Sequence, residues 1–512
     1  MTTASSADVP LHLAGNNAPV AEEVTVEPTE VVGRIPAELD GVFARNGPNP
    51  RTGWSPHYFA GDGMVHAIAL ADGRARWYRN RYVRTPLYDN PGRSRFALAF
   101  DPATGTVDYR VTTANTHLLA HAGRLLALEE GGFPYELTTE LDTKGPFTFG
   151  GTLVTPMTAH PKVCPTTGEL LFFGTRLRPP YLTYYRASPT GELLQAQVVE
   201  IPEPTMMHDF AVTERHVVFL DLPVVFDRAA VGGPGWRWDD AHQARFGVMA
   251  RTGGPVRWFE VAPCYVWHTL NAFETGDVLT LTGTRVAALW RGGTDDFSGG
   301  LPNLHRWRLD LTRGTVTEQQ IDDAAVEYPR VADTVIGRPH RYGYVSSFSL
   351  DAAPHHGRIH RYDFGGTVSR QTHELPAGNA CGEAVFVPRH RSDDEAEGYL
   401  LSFAHDRRRG TGYLLIVDAG DLAAPPVAEI HLPVRVPTGF HGTWIPTGAL
   451  TPPPDTPATP PTPHPTTPPK TPPDHPTTAH THSAQAPAPH APPCAAADRR
   501  PARRTGARRR RR

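Results

Sequence analysis

The chain carries 25 histidines, of which 20 precede residue 452. Four stand in distinctive settings: Thr158-Ala159-His160-Pro161-Lys162, Met206-Met207-His208-Asp209-Phe210, Val266-Trp267-His268-Thr269-Leu270-Asn271 and Gly439-Phe440-His441-Gly442-Thr443. Imidazole is a common side-chain ligand for transition metals, so each is a candidate ligand. They are separated by 48, 60 and 173 residues, and no His-x-x-x-His spacing joins them, which excludes a helical metal motif. Spacing alone does not make them a set, and each ring taken singly is better explained as a structural or surface residue than as a ligand. To share one ion they must come from different parts of a fold that converges on an axis.

The elements around them are strands. Short apolar runs recur at Leu125–Leu128, Leu170–Phe173, Val217–Leu220, Val278–Thr282, Tyr342–Phe348, Tyr399–Phe403 and Tyr413–Val417, rich in β-branched and aromatic residues and ended by Gly, Pro, Asp or another polar residue. Long helical periodicity is nearly absent. Some 430 residues of this pattern exceed one sandwich and suit an all-β propeller of six to eight blades, whose innermost strands line a central channel. No repeat of the Trp-Asp type fixes the blade number.

Three zones follow from composition: a polar tail over 1–22, a patterned domain over 23–451, and a Pro-, Thr-, His- and Ala-rich tail over 452–512 that closes on Arg508–Arg512. The last cannot bury enough apolar surface to offset its ordering entropy and is expected to be disordered. Its histidines (His464, His475, His480, His482 and His490) read as part of a solvated tail rather than a metal site. A net charge of −3 gives no nucleic-acid signature for the core domain. Cys164, Cys264, Cys381 and Cys494 form no Cys-x-x-Cys pair and no disulfide framework, so a cytoplasmic setting is expected. No signal peptide and no membrane-spanning stretch is expected.

The four histidine segments resemble the metal-ligand motifs of the carotenoid cleavage oxygenase family. Four further segments resemble that family in the same order: Gly41–Pro50 (GVFARNGPNP), His57–His66 (HYFAGDGMVH), Arg245–Met249 (RFGVM) and Gly382–Pro388 (GEAVFVP). The resemblance covers roughly Glu23 to Pro446. It implies a seven-bladed propeller with a cap of loops and short helices over an apolar tunnel. It implies one Fe(II) per subunit held by His160, His208, His268 and His441. It also implies three glutamates that each accept a hydrogen bond from one ligand ring, carried over to Glu130, Glu327 and Glu383. Glu129 competes with Glu130, which directly precedes the Gly131-Gly132 pair, and Glu374 competes with Glu327, which lies upstream of Gly337–Tyr344.

The chemistry suits the set. Neutral imidazoles match a borderline ion such as Fe(II), and four of them leave two octahedral positions for O2 beside a substrate. Carboxylates one shell out fix each ring's tautomer and raise its basicity. The implied activity is dioxygenation: both atoms of O2 add across one C=C bond of a carotenoid or apocarotenoid, leaving two carbonyl products. Phe59, Phe133, Tyr135, Trp236, Trp238, Phe273 and Trp290 are candidates for lining the tunnel. Lignostilbene-type members carry a Lys just before the first glutamate, where this chain has Glu129, which favours the apolar polyene over a phenolic stilbene. The alternatives are a stilbene dioxygenase, a retinoid-type isomerase that needs no O2, and a propeller without catalysis. An apolar substrate is also compatible with peripheral membrane contact.

Overall fold

The computed structural model of the protein describes residues 9–231, 234–292, 299–349, 357–389 and 392–451. The expected C-terminal tail lies outside the described residues, as does the start of the N-terminal one. Seven antiparallel sheets follow one another along the chain. From the inner strand outward, blade 2 runs His117–His121, Arg124–Leu128, Tyr135–Leu137 and Thr143–Pro146; blade 3 runs Lys162–Val163, Leu170–Thr175, Leu182–Ala187 and Leu193–Val199. Blade 4 runs Ala211–Val212, His216–Asp221, Arg245–Ala250 and Arg257–Glu260, with the hairpin Val224–Val231 and Pro234–Trp238 inserted in it. Blade 5 runs Tyr265–Thr275, Val278–Val286, Asn303–Asp310 and Thr315–Gln320; blade 6 runs Val326–Arg330, Tyr342–Ser347, Arg358–Asp363 and Ser369–Glu374.

The two remaining blades join the ends of the chain. In blade 1 the C-terminal strand Gly442–Pro446 pairs with Gly41–Pro48 and becomes the inner strand. In blade 7 the N-terminal strand Glu30–Gly33 pairs with Ala428–His431 and becomes the outer one. The two ends of the chain thus complete the ring, and the strand edges that remain are short and protected. The arrangement is a seven-bladed β-propeller.

Both faces of each sheet are covered by neighbouring blades, so the middle strands read as continuous apolar runs rather than as alternating ones. Leu125 and Ala127 pack toward blade 1, while Leu126 and Leu128 pack toward blade 3. Leu414 and Ile416 face blade 1, and Leu415 and Val417 face blade 6. A core of this kind fills the space between every pair of adjacent blades. Outer strands turn polar, as in Thr315–Gln320, where all but one residue is exposed. Leu401 is fully buried between blades 7 and 1. Leu401→Ala is therefore expected to cost about 2–5 kcal/mol, read as a lower denaturant midpoint. Val198→Ala on an exposed outer strand is expected to change stability by no more than about 0.5 kcal/mol.

Helices are one-turn pieces in the connections, such as Pro86–Asp89 capped by Thr85 and Arg95–Ala99 capped by Ser94. Residues 9–22, expected as part of a loose tail, contain two 3-10 turns, Leu11–Leu13 and Gly15–Asn17. Arg435 donates to the Asn16 and Pro19 carbonyls, and Asn49 exchanges two hydrogen bonds with the Val20 backbone. These bonds tie the segment to blade 1 and to the loop that precedes its closing strand. No helix among the described residues is long and apolar enough to cross a membrane.

Candidate metal centre

At the inner end of each of the seven blades a histidine or a glutamate lies within the inner strand, just before it, or between its two short pieces. His117 opens the inner strand of blade 2. His160 and His208 lie just before those of blades 3 and 4, and His268 lies within that of blade 5. Glu327 is in that of blade 6, Glu383 sits between the two short strands Ala380–Cys381 and Val385–Pro388 of blade 7, and His441 directly precedes the closing strand of blade 1.

Local irregularities aim these side chains. The pairing of blade 5's inner strand slips between Val266 and Thr269, around His268. That of blade 6 slips between Glu327 and Arg330, with Tyr328 in the left-handed region at φ 56°. Bulges re-aim side chains in this way, and a non-glycine left-handed residue costs about 1–3 kcal/mol where the surroundings hold it. His441 is set by a close approach of two backbones. A Cβ on Gly47 would lie 2.7 Å from Gly439 Cα, so neither position tolerates a side chain. Asn46 N then donates to the His441 carbonyl at 3.1 Å, and Phe440 N to the Asn46 carbonyl at 2.9 Å.

The four rings converge. One nitrogen from each of His160, His208, His268 and His441 lies within 4.8 Å of all the others; His160, His208 and His441 are buried, and the His268 side chain is 12% exposed. His160 Nε2 is 3.0 Å from His208 Nε2, which is 3.2 Å from His268 Nε2. A divalent ion about 2.1 Å from each imidazole puts right-angle neighbours about 3.0 Å apart, so the spacing fits such an ion.

Three carboxylates fix the tautomers. Glu130 Oε1 is 3.1 Å from His208 Nδ1, Glu327 Oε2 2.6 Å from His268 Nδ1, and Glu383 Oε1 3.1 Å from His441 Nδ1. Each ring thus donates outward through Nδ1–H and turns its Nε2 lone pair inward. Lone pairs of His208 and His268 facing each other at 3.2 Å repel unless a cation lies between them. Glu327 Oε1 also accepts from Thr284 Oγ1 at 2.7 Å, and Oε2 from Tyr328 N at 2.7 Å. Glu383 Oε2 accepts from Gly442 N at 2.7 Å, and Arg330 lies 3.6 Å from Oε1.

Electrostatics favour the neutral form at His160 and His441. Burial and the facing rings hold His160 well below the usual imidazole range. Burial also lowers His441, against the pull of Glu383. At His268 burial is outweighed by Glu327, which raises the ring, so protons and a metal compete there. Burial pushes the Glu383 carboxyl up, but Arg330 and His441 outweigh it and hold it at about 2.

Comparison with known proteins points the same way. The family described as retinal pigment epithelial membrane protein (RPE65) matches residues 17–446. A carotenoid cleavage oxygenase of Mycobacterium tuberculosis is 38% identical, with 87% of this chain and 100% of that protein covered. The carotenoid cleavage oxygenase family is where this chain belongs. Among solved structures, a Pseudomonas brassicacearum lignostilbene dioxygenase is 30% identical with a TM-score of 0.77, covering 85% of this chain and 98% of that one. A Synechocystis apocarotenoid oxygenase is 26% identical with a TM-score of 0.75, covering 84% and 97%.

Within this member of the family, the rival residues are occupied elsewhere. Glu129 is bound by Arg95 at 3.0 Å, Thr112 Oγ1 at 2.7 Å and Gly131 N at 3.0 Å. Glu374 pairs with exposed Arg358 on an outer strand. Of the seven aromatic candidates for the tunnel, Phe59 and Trp290 join an aromatic group that reaches the centre. Trp267 touches both, and its ring lies 5.0 Å from that of His208. The other five pack elsewhere: Phe133 on Tyr109, Tyr135 on the Arg110 carbonyl, Trp236 on Phe226, Trp238 against Asp240 and Phe273 on His340.

Sequence reasoning missed several residues at the site. Tyr328 packs on His268 and His441, with ring centres at 5.6 and 5.3 Å. His117 lies 5.4 Å from His441 and donates through Nδ1 to the Ala159 carbonyl, the residue before His160. The signal for Trp267, Tyr328 and Phe440 was adjacency: each is one residue from a candidate histidine or glutamate.

Proposed function

We propose that the chain is an Fe(II)-dependent dioxygenase that cleaves one C=C bond of a carotenoid or apocarotenoid with O2 to give two carbonyl products. The observation that carries this reading is the convergence of four inward imidazole nitrogens, three backed by buried or half-buried glutamates, at the propeller axis. His160, His208, His268 and His441 would hold the iron, and Glu130, Glu327 and Glu383 would orient their rings. Bound there, Fe(II) supplies a place to activate O2 beside the substrate. The aromatic group of Phe59, Trp267, Trp290 and Phe440 offers an apolar surface to a conjugated chain and keeps water from it. No side chain is required as acid or base, because O2 and the alkene together contain every atom of the two products.

The names of relatives support the reaction class. Carotenoid 9,10(9',10')-cleavage dioxygenase 1 of Phaseolus vulgaris is 34% identical over 85% of this chain and 89% of that protein. The likeness to a lignostilbene dioxygenase supports a second reading, a stilbene as substrate. Against it stands Glu129, an acid engaged by Arg95 where lignostilbene-type members carry Lys. Chromatography of products after Fe(II) loading, with a panel of apocarotenals, carotenoids and stilbenoids, separates the two. The expected result is cleavage of the polyene, with each carbonyl labelled from 18O2 in short incubations. Cleavage of the stilbenoid alone would replace the first reading by the second, and turnover without O2 would sink both.

A further inference from the structure

We propose that Asp209 is the positioning residue that sets the spacing of His160, His208 and His268, an inference that rests on reading these rings as iron ligands. Asp209 is buried, at 1% exposure, and directly follows His208. Its Oδ1 accepts from Phe210 N at 2.7 Å and from Lys162 Nζ at 2.8 Å. Its Oδ2 accepts from Thr269 N and Thr269 Oγ1, both at 2.8 Å. A carboxylate offers about four acceptor sites, so this one is saturated.

The donors come from three consecutive blades, and each is one or two residues from a ligand. Lys162 follows His160 by two residues, and Thr269 directly follows His268. The backbone ladder gives these three points little register of its own. The inner strands of blades 3 and 4 are two residues long. That of blade 5 slips on both sides of Thr269, and His268 has no partner across the ladder. One carboxylate bonded to all three therefore fixes where the rings stand relative to one another. Glu383 does the corresponding work for His441 by accepting from both its ring and the next backbone N–H.

Asparagine at this position keeps the shape but turns one acceptor into a donor, which then faces Lys162 or the Thr269 amide. The test is titration of the metal-free full-length chain with Fe(II) and with Co(II) under anaerobic conditions, following the Co(II) d–d bands. Asp209→Asn is expected to weaken both metals about 10–100-fold, the usual cost of losing a partner that orients ligands, and to shift the bands. Thr269→Val removes the hydroxyl that donates to Asp209 Oδ2 and also lies 3.2 Å from the Phe210 carbonyl; it keeps the Thr269 amide bond, is milder toward folding, and is expected to weaken binding about fivefold. Asp221→Asn is the control, because Asp221 is equally buried in blade 4 but bonds His242 and Arg245. It should lower the melting temperature and leave metal affinity within about twofold and the spectrum unchanged.

Wild-type affinity and spectrum in both Asp209→Asn and Thr269→Val would overturn the inference, as would an equal effect of Asp221→Asn. A wild-type chain that binds neither metal would overturn the iron reading and this inference with it.

Discussion

His160→Ala should purify with iron at background level and with no measurable turnover. The His160 ring lies among the other three, with centre-to-centre distances of 4.4 Å to His208, 5.0 Å to His268 and 4.5 Å to His441. Removing it takes away one of four inward nitrogens and opens the site to water. Loss of a residue that merely supports a ligand costs about 10–100-fold, and loss of the ligand itself should exceed the upper end of that range. The fold should survive. Three inward nitrogens remain, with less mutual repulsion, and no blade depends on the His160 side chain for its core. Circular dichroism like the wild type, with iron absent by elemental analysis, is the expected pair of results.

Glu383→Gln is the second large effect, and the reason lies in the partners. Glu383 accepts from the His441 ring and the Gly442 amide and lies against Arg330, and all three are donors. An amide of the same shape must turn its NH2 toward one of them. The change also removes the charge facing Arg330, whose side chain is 20% exposed and also reaches Asp333, so this loss should stay below the roughly 3–5 kcal/mol of a fully buried pair. Iron retention and kcat should fall about 10–100-fold. Glu130→Gln should be milder, since its side chain is 29% exposed against 2% for Glu383 and it has one ring to serve.

The same residue sets an acid limit. Its carboxyl is held at about 2 in the fold against an ordinary 4.5. A carboxyl lowered by folding stabilises fully above its unfolded value and loses that contribution as pH falls through the folded one. Wild-type stability should therefore drop by on the order of 3 kcal/mol between about pH 4.5 and 2 on account of this group. In Glu383→Gln that part of the pH dependence should be missing from the unfolding midpoints.

The strands were legible in the sequence, and the reason is visible in the packing. Leu125–Leu128 and Tyr413–Val417 are apolar at every position because odd and even residues serve two different inter-blade cores. The blade count was not legible from pattern. Several inner strands, such as Lys162–Val163, Ala211–Val212 and Ala380–Cys381, are two residues long and show no period. The N-terminal and C-terminal strands each complete a blade begun elsewhere, so no repeat unit is contiguous there.

At the site, the flanking motifs picked out the four histidines that the fold brings together, although nothing in their spacing could. The choice between Glu129 and Glu130 also needed the motif. Adjacent residues on a turn point differently, and one meets His208 while the other meets Arg95. Asp209, Lys162 and Thr269 stood in plain view beside His208, His160 and His268. Their bonds run between blades, and a single sequence carries no sign of which polar neighbour crosses that gap. The aromatic candidates fared unevenly because most aromatics in such a fold fill inter-blade cores, as Phe172 and Trp307 do.

The most direct measurement of the central claim is the metal content of full-length protein reconstituted anaerobically with Fe(II) and freed of loosely bound ion. The expected result is about one iron per chain, with X-ray absorption showing nitrogen neighbours near 2.1 Å and no sulfur. Iron near zero in folded protein with His160, His208, His268 and His441 all intact would contradict it.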